Sequence, residues 1–145
     1  MSQSEKIAYF AGIVDGEGSI MLWMDTRSKR INRSYNLRLN VSSTDKCLTD
    51  WIHSNFGGKV YELNSPSRKA NPQWKKQHLW EASRPDLLNI LQSIHPYLVI
   101  KKTHCEIAIE FRKTFSKKER YLSDETIKKR HSIFEKMKHL NSRGR

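Results

Sequence analysis

The segment Phe10–Gly18 constrains the fold more than any other, because an apolar helical pattern ends there in two glycines and two carboxylates. Upstream and within it, Ile7, Phe10 and Val14 recur at helical spacing and predict a face that packs into a core. On another face, Ala8, Ala11 and Gly12 leave the backbone open to close approach. The segment therefore predicts a helix with one core-facing side and one helix–helix interface.

The end of this helix carries the chemistry. We expect Gly16 and Gly18 to supply the positive φ that ends the helix, and Ser19–Met24 to follow as a strand. Asp15 and Glu17 then lie at a helix C-terminus, where the macrodipole is already negative. A hard cation such as Mg²⁺, which binds through one or two carboxylates plus substrate phosphates, would offset this repulsion. The alternative is a polar turn closed by a glycine.

The charge of the chain points to a polyanionic partner. Its 145 residues suit one domain, and its formal net charge is +12. Nucleic acid is favoured over membrane, because no apolar run approaches the length of a spanning helix. A merely basic, soluble surface is the alternative. We expect no membrane and no small-molecule substrate as partner.

The cysteine content and the N-terminus indicate where the protein acts. Cys47 and Cys105 are far apart and match neither a zinc site nor a disulfide framework, so both are predicted to be buried thiols in a reducing compartment. No secretory leader is recognised at the N-terminus. We expect an intracellular protein that acts with the genome that encodes it.

The range Tyr35–Ser42 has the clearest strand alternation in the sequence. Its apolar face should join the core, and its polar face carries side chains of the types that read base edges in a major groove. An ordinary solvated face is the alternative. The polar side chains are Asn36, Arg38, Asn40 and Ser42.

The rest of the chain extends an α+β pattern of helices separated by strand pairs, which predicts a sheet covered on one face and open on the other. After the second strand we expect a helix that is capped by Thr44 or Asp45 and ends at Gly57–Gly58. Strands at Lys59–Leu63 and Trp74–Ser83 follow, with a loop at Asn64–Pro72 between them. We then expect a helix from Pro85 to His95–Pro96 and a further helix after the apolar anchor Tyr97–Ile100. Trp80 is expected in the core. Residues 1–115 form the predicted domain. Residues 116–145 form a basic helical extension that packs on it or contacts DNA backbone.

Basic and aromatic side chains in the loops and strands are further candidates for nucleic-acid contact. The candidates are Arg27, Lys29, Arg30, Arg33, Arg68, Lys69, Trp74, Lys75, Lys76 and His78.

The nonapeptide Phe10–Gly18 resembles the signature of the LAGLIDADG homing endonucleases, with Glu17 in place of the commoner Asp. Val41–Asp45, Phe56–Gly58 and His95–Lys101 extend the resemblance over most of the region from Ile7 to Phe115. The resemblance implies an αββαββα half-saddle whose mostly antiparallel four-stranded sheet binds DNA. Because the chain has a single nonapeptide, it also implies a homodimer through the signature helices and a near-palindromic target. The interface residues expected are Ala8, Ala11, Gly12, Asp15 and Gly16.

The resemblance further implies a metal-dependent endonuclease that cuts both strands and leaves 3′ overhangs. Glu17 and the carbonyl of Gly16 would bind Mg²⁺, with Mn²⁺ or Ca²⁺ able to replace it. Lys101 matches the active-site lysine, and Ser43 lies near a solvent-orienting position where Gln is common. Asp15 has a competing and favoured explanation, that it stabilises the turn through hydrogen bonds to N–H groups. Lys101 has one too, because a lysine after an apolar run is usually solvated.

Other functions on the same scaffold are an RNA maturase or a non-cleaving DNA-binding protein. Loss of the acid would be expected there, and Glu17 is present. A basic structural protein of ribosomes or chromatin would not need the nonapeptide.

Overall fold

The computed structural model describes residues 1–25, 34–115 and 122–143. Its elements confirm the predicted αββαββα order with a C-terminal helix, apart from one added short helix. They are α1 (Gln3–Glu17), β1 (Gly18–Asp25), β2 (Ser34–Ser43), α2 (Lys46–Phe56), β3 (Lys59–Glu62), α3 (Pro66–Ala70), β4 (His78–Glu81), α4 (Arg84–Ile94), a 3₁₀ turn (His95–Tyr97), α5 (Lys102–Arg112) and α6 (Asp124–Arg143).

The four strands form one antiparallel sheet in the order β1-β2-β4-β3. In its register Gly18 lies opposite Val41, and Glu81 lies between Asn40 of β2 and Lys59 of β3. Since side chains alternate along each strand, the register fixes which residues share a face. The sheet is the predicted α+β sheet, with helices on one side.

The core lies between that side of the sheet and the helices. The ring of Phe10 stacks on Phe56 at 4.4 Å and meets Trp80 edge-on at 5.3 Å. Trp80 is fully buried, as predicted, and its indole N–H donates to the carbonyl of Gly57 at 2.7 Å. A polar indole in the core is therefore satisfied by the turn that ends α2.

The other side of the sheet, called the outer face below, carries no described helix. By register and alternation the outer face consists of Ser19, Met21, Trp23 and Asp25 (β1), Ser34, Asn36, Arg38, Asn40 and Ser42 (β2), Leu79 and Glu81 (β4), and Lys59 and Tyr61 (β3).

Two of the glycine predictions differ in outcome. Gly57 and Gly58 end α2, as predicted; their φ values are 69° and 81°, and they are the only positive-φ glycines in the described part of the chain. The prediction of positive φ at Gly16 and Gly18 is wrong, because α1 runs on to Glu17 and Gly18 has φ −88°. Gly18 is required for space instead, since a Cβ there would lie 2.7 Å from Cα of Val14.

The second strand pair is shorter than predicted. The predicted loop Asn64–Pro72 contains α3, and the predicted strand Trp74–Ser83 is paired only over His78–Glu81. Arg68 of α3 explains part of the difference, because its guanidinium donates to the carbonyl of Lys75 at 3.0 Å and to the amide oxygen of Gln77. The Lys75 carbonyl thus binds a side chain rather than a neighbouring strand, whereas the Gln77 carbonyl still accepts the N–H of Leu63 at 2.8 Å.

The C-terminal helix α6 shares the main core. Ile133 is 1% exposed and Met137 is fully buried, both within the cluster that contains Phe10 and Trp80. The side chain of Arg130 is buried as well and donates to the hydroxyl and carbonyl oxygens of Thr114 at 2.9 and 3.1 Å. The extension therefore packs on the domain, which was one of its two predicted roles, and the boundary between residues 115 and 116 stays a prediction.

Two further expectations can be checked on the fold. Cys105 is buried as predicted, whereas the prediction for Cys47 is wrong, because the start of α2 leaves that residue exposed. Among the described residues, no helix combines the length and apolar character that crossing a membrane needs.

Candidate active site and nucleic-acid interface

The carboxylate of Asp15 is bound by three successive backbone N–H groups. Those of Val99, Ile100 and Lys101 donate to it at 2.8, 3.2 and 2.9 Å. Burial raises the pKa of Asp15, but these three bonds and the Lys101 charge outweigh burial and hold the pKa below its usual value. Asp15 accepts N–H bonds, as its favoured explanation predicted, but the prediction that these bonds stabilise its own turn is wrong, because the donors belong to a distant segment.

Lys101 lies at the same helix end. Its ammonium donates to the main-chain oxygen of Asp15 at 2.6 Å. One of the last carbonyls of α1, which have no partner inside the helix, is thereby satisfied, and a positive charge lies at the negative end of the macrodipole. The side chain of Lys101 is therefore fixed two residues from Glu17 and is not merely solvated.

Glu17 differs from Asp15 in having no described partner. The residue is exposed at the last position of α1, and no described residue makes a hydrogen bond or ion pair with its carboxylate. The neighbouring carbonyl of Gly16 also belongs to the unpaired last turn. Of the two carboxylates in the nonapeptide, the fold satisfies one and leaves the other available.

A metal at this position would need ligands from outside one chain. Within the described ranges, no group of three or more His, Cys, Asp or Glu side chains could hold an ion. Glu17 and the Gly16 carbonyl offer hard oxygen donors, which suit Mg²⁺ when substrate phosphates complete the shell. The donor set therefore fits Mg²⁺ at a site that DNA or a second chain completes.

The side of α1 that faces away from the core is open at its two glycines. A Cβ at Gly12 or at Gly16 would meet no atom within 4 Å, and both residues are exposed. Ala8 is half-buried. Ala11, in contrast, is fully buried in the core of its own chain, so its predicted place in an intermolecular interface is wrong. Asp15 was also predicted to lie in the interface, but its carboxylate is hydrogen-bonded to the segment before α5, which limits that role.

Apolar side chains continue this surface beyond the end of α1. Val99 is 83% exposed and Ile100 is 72% exposed, and their N–H groups bind Asp15. The sequence analysis assigned Tyr97–Ile100 to an apolar anchor, but only Leu98 is buried. The correction has a physical reason, because hydrogen bonds to Asp15 fix the segment and turn its other side chains outward.

Ser43 is placed differently from its predicted role. Its hydroxyl accepts from the N–H of Asp45 at 3.0 Å, ahead of the N-cap of α2. In the register it lies opposite His78. The hydroxyl thus has a structural partner, and a role in orienting solvent stays a prediction.

The central strand of the outer face confirms the predicted alternation, with differences in exposure. Asn36 and Ser42 are half-buried. Arg38 forms an ion pair with Glu81 and is 38% exposed at its side chain. Asn40 is only 9% exposed, because it lies between Ser19 and Glu81 in the middle of the sheet. The prediction that Asn40 contacts a base edge is therefore corrected, because its side chain is buried.

The loop candidates divide into three groups. Lys69, Trp74, Lys75 and Lys76 are exposed, with Trp74 at 51%. His78 shares the helix-covered face with Trp80 instead of the outer face, which corrects its predicted position. Arg68 is engaged within its own loop, and its contact with DNA stays a prediction. Arg27, Lys29, Arg30 and Arg33 lie outside the described residues.

The outer face also contains residues that the sequence analysis did not assign to it. Met21, Trp23, Lys59, Tyr61 and Glu81 lie beside the predicted residues. Their alternation was present in the sequence, but the faces of the short strands β3 and β4 depend on a register that only pairing defines.

Comparison with known proteins supplies independent information on the fold. No family model and no curated protein matches the sequence. The structure of the homing endonuclease I-CvuI in complex with its target matches with a TM-score of 0.75 at 18% identity, over 95% of this chain and 83% of that chain. The archaeal intron-encoded homing endonuclease I-Vdi141I, complexed with DNA, matches with a TM-score of 0.76 at 14% identity, over 95% and 85% of the two chains.

A longer protein matches over less than half of its own length. The LAGLIDADG homing endonuclease I-LtrWI, bound to target DNA, has a TM-score of 0.67 at 19% identity, over 89% of this chain and 43% of that chain. The chain therefore has the fold of the LAGLIDADG homing endonucleases, which confirms the resemblance noted in the sequence at the level of the fold.

Proposed function

We propose that the protein is a site-specific, metal-dependent DNA endonuclease that acts as a homodimer on a long, near-palindromic duplex. The observation that carries the proposal is the end of α1. There an exposed carboxylate without a described partner, Glu17, lies on a helix with a bare outward side, and the ammonium of Lys101 is fixed at the same helix end.

The homodimer is supported by the surface around α1. Gly12 and Gly16 allow a second helix to approach closely, and Val99 and Ile100 expose apolar side chains on the segment bound to Asp15. The chain also covers 43% of I-LtrWI, about what one half of a two-part protein would cover. In an isologous dimer the two Glu17 carboxylates come from equivalent helix ends, so the symmetry of the protein predicts a symmetric target.

Duplex DNA is supported by charge and by the shape of the sheet. The chain carries a net charge of +12, which favours a polyanion. The outer face offers Asn36, Arg38 and Ser42 to base edges in a major groove. Lys69, Lys75 and Lys76, on the connection between β3 and β4, are exposed and suit phosphate contacts, which position a duplex without reading its sequence.

The reaction is hydrolysis of a phosphodiester bond. Glu17 and the carbonyl of Gly16 would hold Mg²⁺, for which Mn²⁺ or Ca²⁺ could substitute. When bound, such an ion polarises a phosphate oxygen and lowers the pKa of a bound water. Lys101, held against Asp15, would place positive charge near the phosphate as negative charge develops on it. Asp15 would act through position alone, by fixing the segment that carries Lys101.

The proposal is tested by Glu17→Gln, which keeps the size and removes the charge of the side chain. Duplexes cleaved in the presence of Mg²⁺ are selected from a random library with the wild type, and the mutant is then assayed on the selected site. We expect the mutant to bind that site and not to cleave it. Glu125→Gln on α6 is the charge-matched control and should cleave normally.

Cleavage by Glu17→Gln at the wild-type rate would refute the assigned metal ligand. The same library is also selected for binding in EDTA. A wild type that enriches one duplex sequence by binding and never cuts it with Mg²⁺ would instead favour the non-cleaving DNA-binding alternative.

A further inference from the structure

One cluster on the outer face joins all four strands. Glu81 of β4 forms an ion pair with Arg38 of β2, at 2.8 Å from Oε1 to Nε. Tyr61 of β3 donates its hydroxyl to the other oxygen of Glu81, Oε2, at 2.8 Å. The guanidinium carbon of Arg38 lies 4.9 Å from the ring centre of Trp23 of β1.

The register explains why Glu81 is the centre of this cluster. Glu81 lies directly opposite Asn40 and Lys59, while Arg38 and Tyr61 approach it from the diagonal positions of β2 and β3. Burial and the hydrogen bond to Glu81 raise the pKa of Tyr61, so its hydroxyl remains a donor. Both oxygens of the carboxylate are thus used, one by a fixed phenol and one by the arginine.

The cluster restricts Arg38 without using the part that reads DNA. The ion pair is made at Nε, and among described residues the two terminal amino groups have no hydrogen-bonding partner. A guanine is read by those two groups, through bidentate bonds to O6 and N7. A long side chain that is already oriented loses less entropy when it forms such bonds.

The negative charge of Glu81, on a surface that is proposed to face DNA, also needs an explanation. A carboxylate on a surface that faces phosphates repels every duplex equally, so Glu81 lowers non-specific affinity. Its position is reasonable if discrimination between bases matters more than affinity, since specificity is a difference between affinities.

Resting on the proposed function, we propose that Glu81, held by Tyr61, is a positioning residue that orients Arg38 toward a guanine and so sets the preference at one base pair in each half-site. The effect acts through the guanidinium of Arg38, and Glu81 itself contacts no base in this arrangement.

The test measures binding in EDTA, so that cutting does not intervene. The site selected by the wild type is resynthesised with each half-site base pair changed in turn, and affinities are measured for wild type, Arg38→Ala, Glu81→Gln and Tyr61→Phe. We expect the wild type to prefer guanine about 5- to 150-fold at one pair, the range of one bidentate contact. Arg38→Ala should remove that preference, and Glu81→Gln should reduce it at the same pair by about 2- to 13-fold.

Glu62→Gln is the matched control, because it removes the same charge from the same sheet outside the outer face. It should leave all base preferences unchanged, and Tyr61→Phe should weaken the same preference as Glu81→Gln by a smaller factor. Thermal unfolding of each variant accompanies the binding data.

An equal change in affinity for all duplexes on Glu81→Gln would overturn the inference, since a merely structural carboxylate acts on every sequence alike. A wild type that binds no duplex selectively would overturn the proposed function and this inference with it, whereas selective wild-type binding with an unchanged Glu81→Gln preference would overturn the inference alone.

Discussion

The ammonium of Lys101 lies 2.6 Å from the main-chain oxygen of Asp15, and the Lys101 N–H lies 2.9 Å from the Asp15 carboxylate. Two bonds therefore join the start of α5 to the end of α1, although 86 residues separate the two positions. This connection leaves Glu17 as the carboxylate available to a ligand. Of the two acids of the nonapeptide, Asp15 is therefore the structural one and Glu17 the candidate catalytic one.

Lys101→Met should lower the rate of DNA cleavage while leaving the affinity for DNA nearly unchanged. The variant keeps the backbone N–H that binds Asp15 and most of the side-chain volume, but it loses the ammonium. We expect the cleavage rate to fall about 100- to 1,000-fold, the effect of removing one group that stabilises developing charge. Binding of the selected duplex should change little. An unaltered single-turnover cleavage rate would contradict the role assigned to Lys101.

The glycines of α1 form an internal comparison. Gly12→Leu should leave the chain folded, because the position faces open space, and should weaken the dimer in sedimentation measurements. Gly18→Ala should instead lower the free energy of unfolding by about 1–3 kcal/mol, because its Cβ would lie 2.8 Å from the carbonyl oxygen of Val14. An unchanged dimer in Gly12→Leu would argue against the proposed interface.

Asp15→Asn should lower the free energy of unfolding by about 1–2 kcal/mol at pH 7, since it weakens three charge-assisted bonds at a partly exposed site. The pKa of Asp15 is lowered in the folded protein, so its contribution is present above the ordinary value of 3.8 and is lost as the pH falls through the lowered folded value. Urea unfolding should therefore show the difference between wild type and mutant narrowing in acid. Glu62→Gln, removing an exposed carboxylate, is the control. A difference that persists at low pH would contradict this account.

The two cysteines should differ in reactivity. Cys47 is exposed, while burial first and the Glu106 charge second raise the pKa of Cys105 to about 12. Because the thiolate is the reactive form, a thiol reagent at pH 8 should modify one cysteine in the native protein and both after denaturation. Mass spectrometry of the peptides identifies the modified residue. Equal native labelling of both would show that the packing of α5 against its neighbours does not bury Cys105.

The last helix should be necessary for stability. Met137→Ala removes a fully buried side chain and should lower the free energy of unfolding by about 2–5 kcal/mol in urea denaturation. The neighbouring Lys138→Ala, at an exposed position, should change it by less than about 0.5 kcal/mol. Similar values for both variants would mean that α6 is dispensable to the core.

Local sequence patterns predicted helices and strands well where an apolar periodicity extended over many residues. The alternation of β2 fixed the faces of that strand, and the apolar spacing of α1 identified Phe10 and Val14 as core residues. Gly57 and Gly58 were correctly predicted to end α2, because adjacent glycines readily adopt the positive φ that closes a helix. The choice of Glu17 as the candidate catalytic acid came from the resemblance of the nonapeptide to a family signature, since its place at a helix end did not distinguish it from Asp15.

Other features depended on distant parts of the chain. The sequence could not show that Arg68 takes up the carbonyl of Lys75, which shortens β4, or that Asn40 is covered by neighbouring strands. It also could not show that Ala11 faces its own core, because Ala8, Ala11 and Gly12 are equally small and only packing distinguishes them.

By itself the amino-acid sequence determined the order of helices and strands, the positive charge and the acidic turn, since each depends on residues close together in the chain. The tertiary structure alone decided that Asp15 is satisfied and Glu17 is not, and that Glu81 joins Arg38 to Tyr61 on the outer face. These relationships are set by strand register and by contacts between distant segments, and a local pattern carries no information about either.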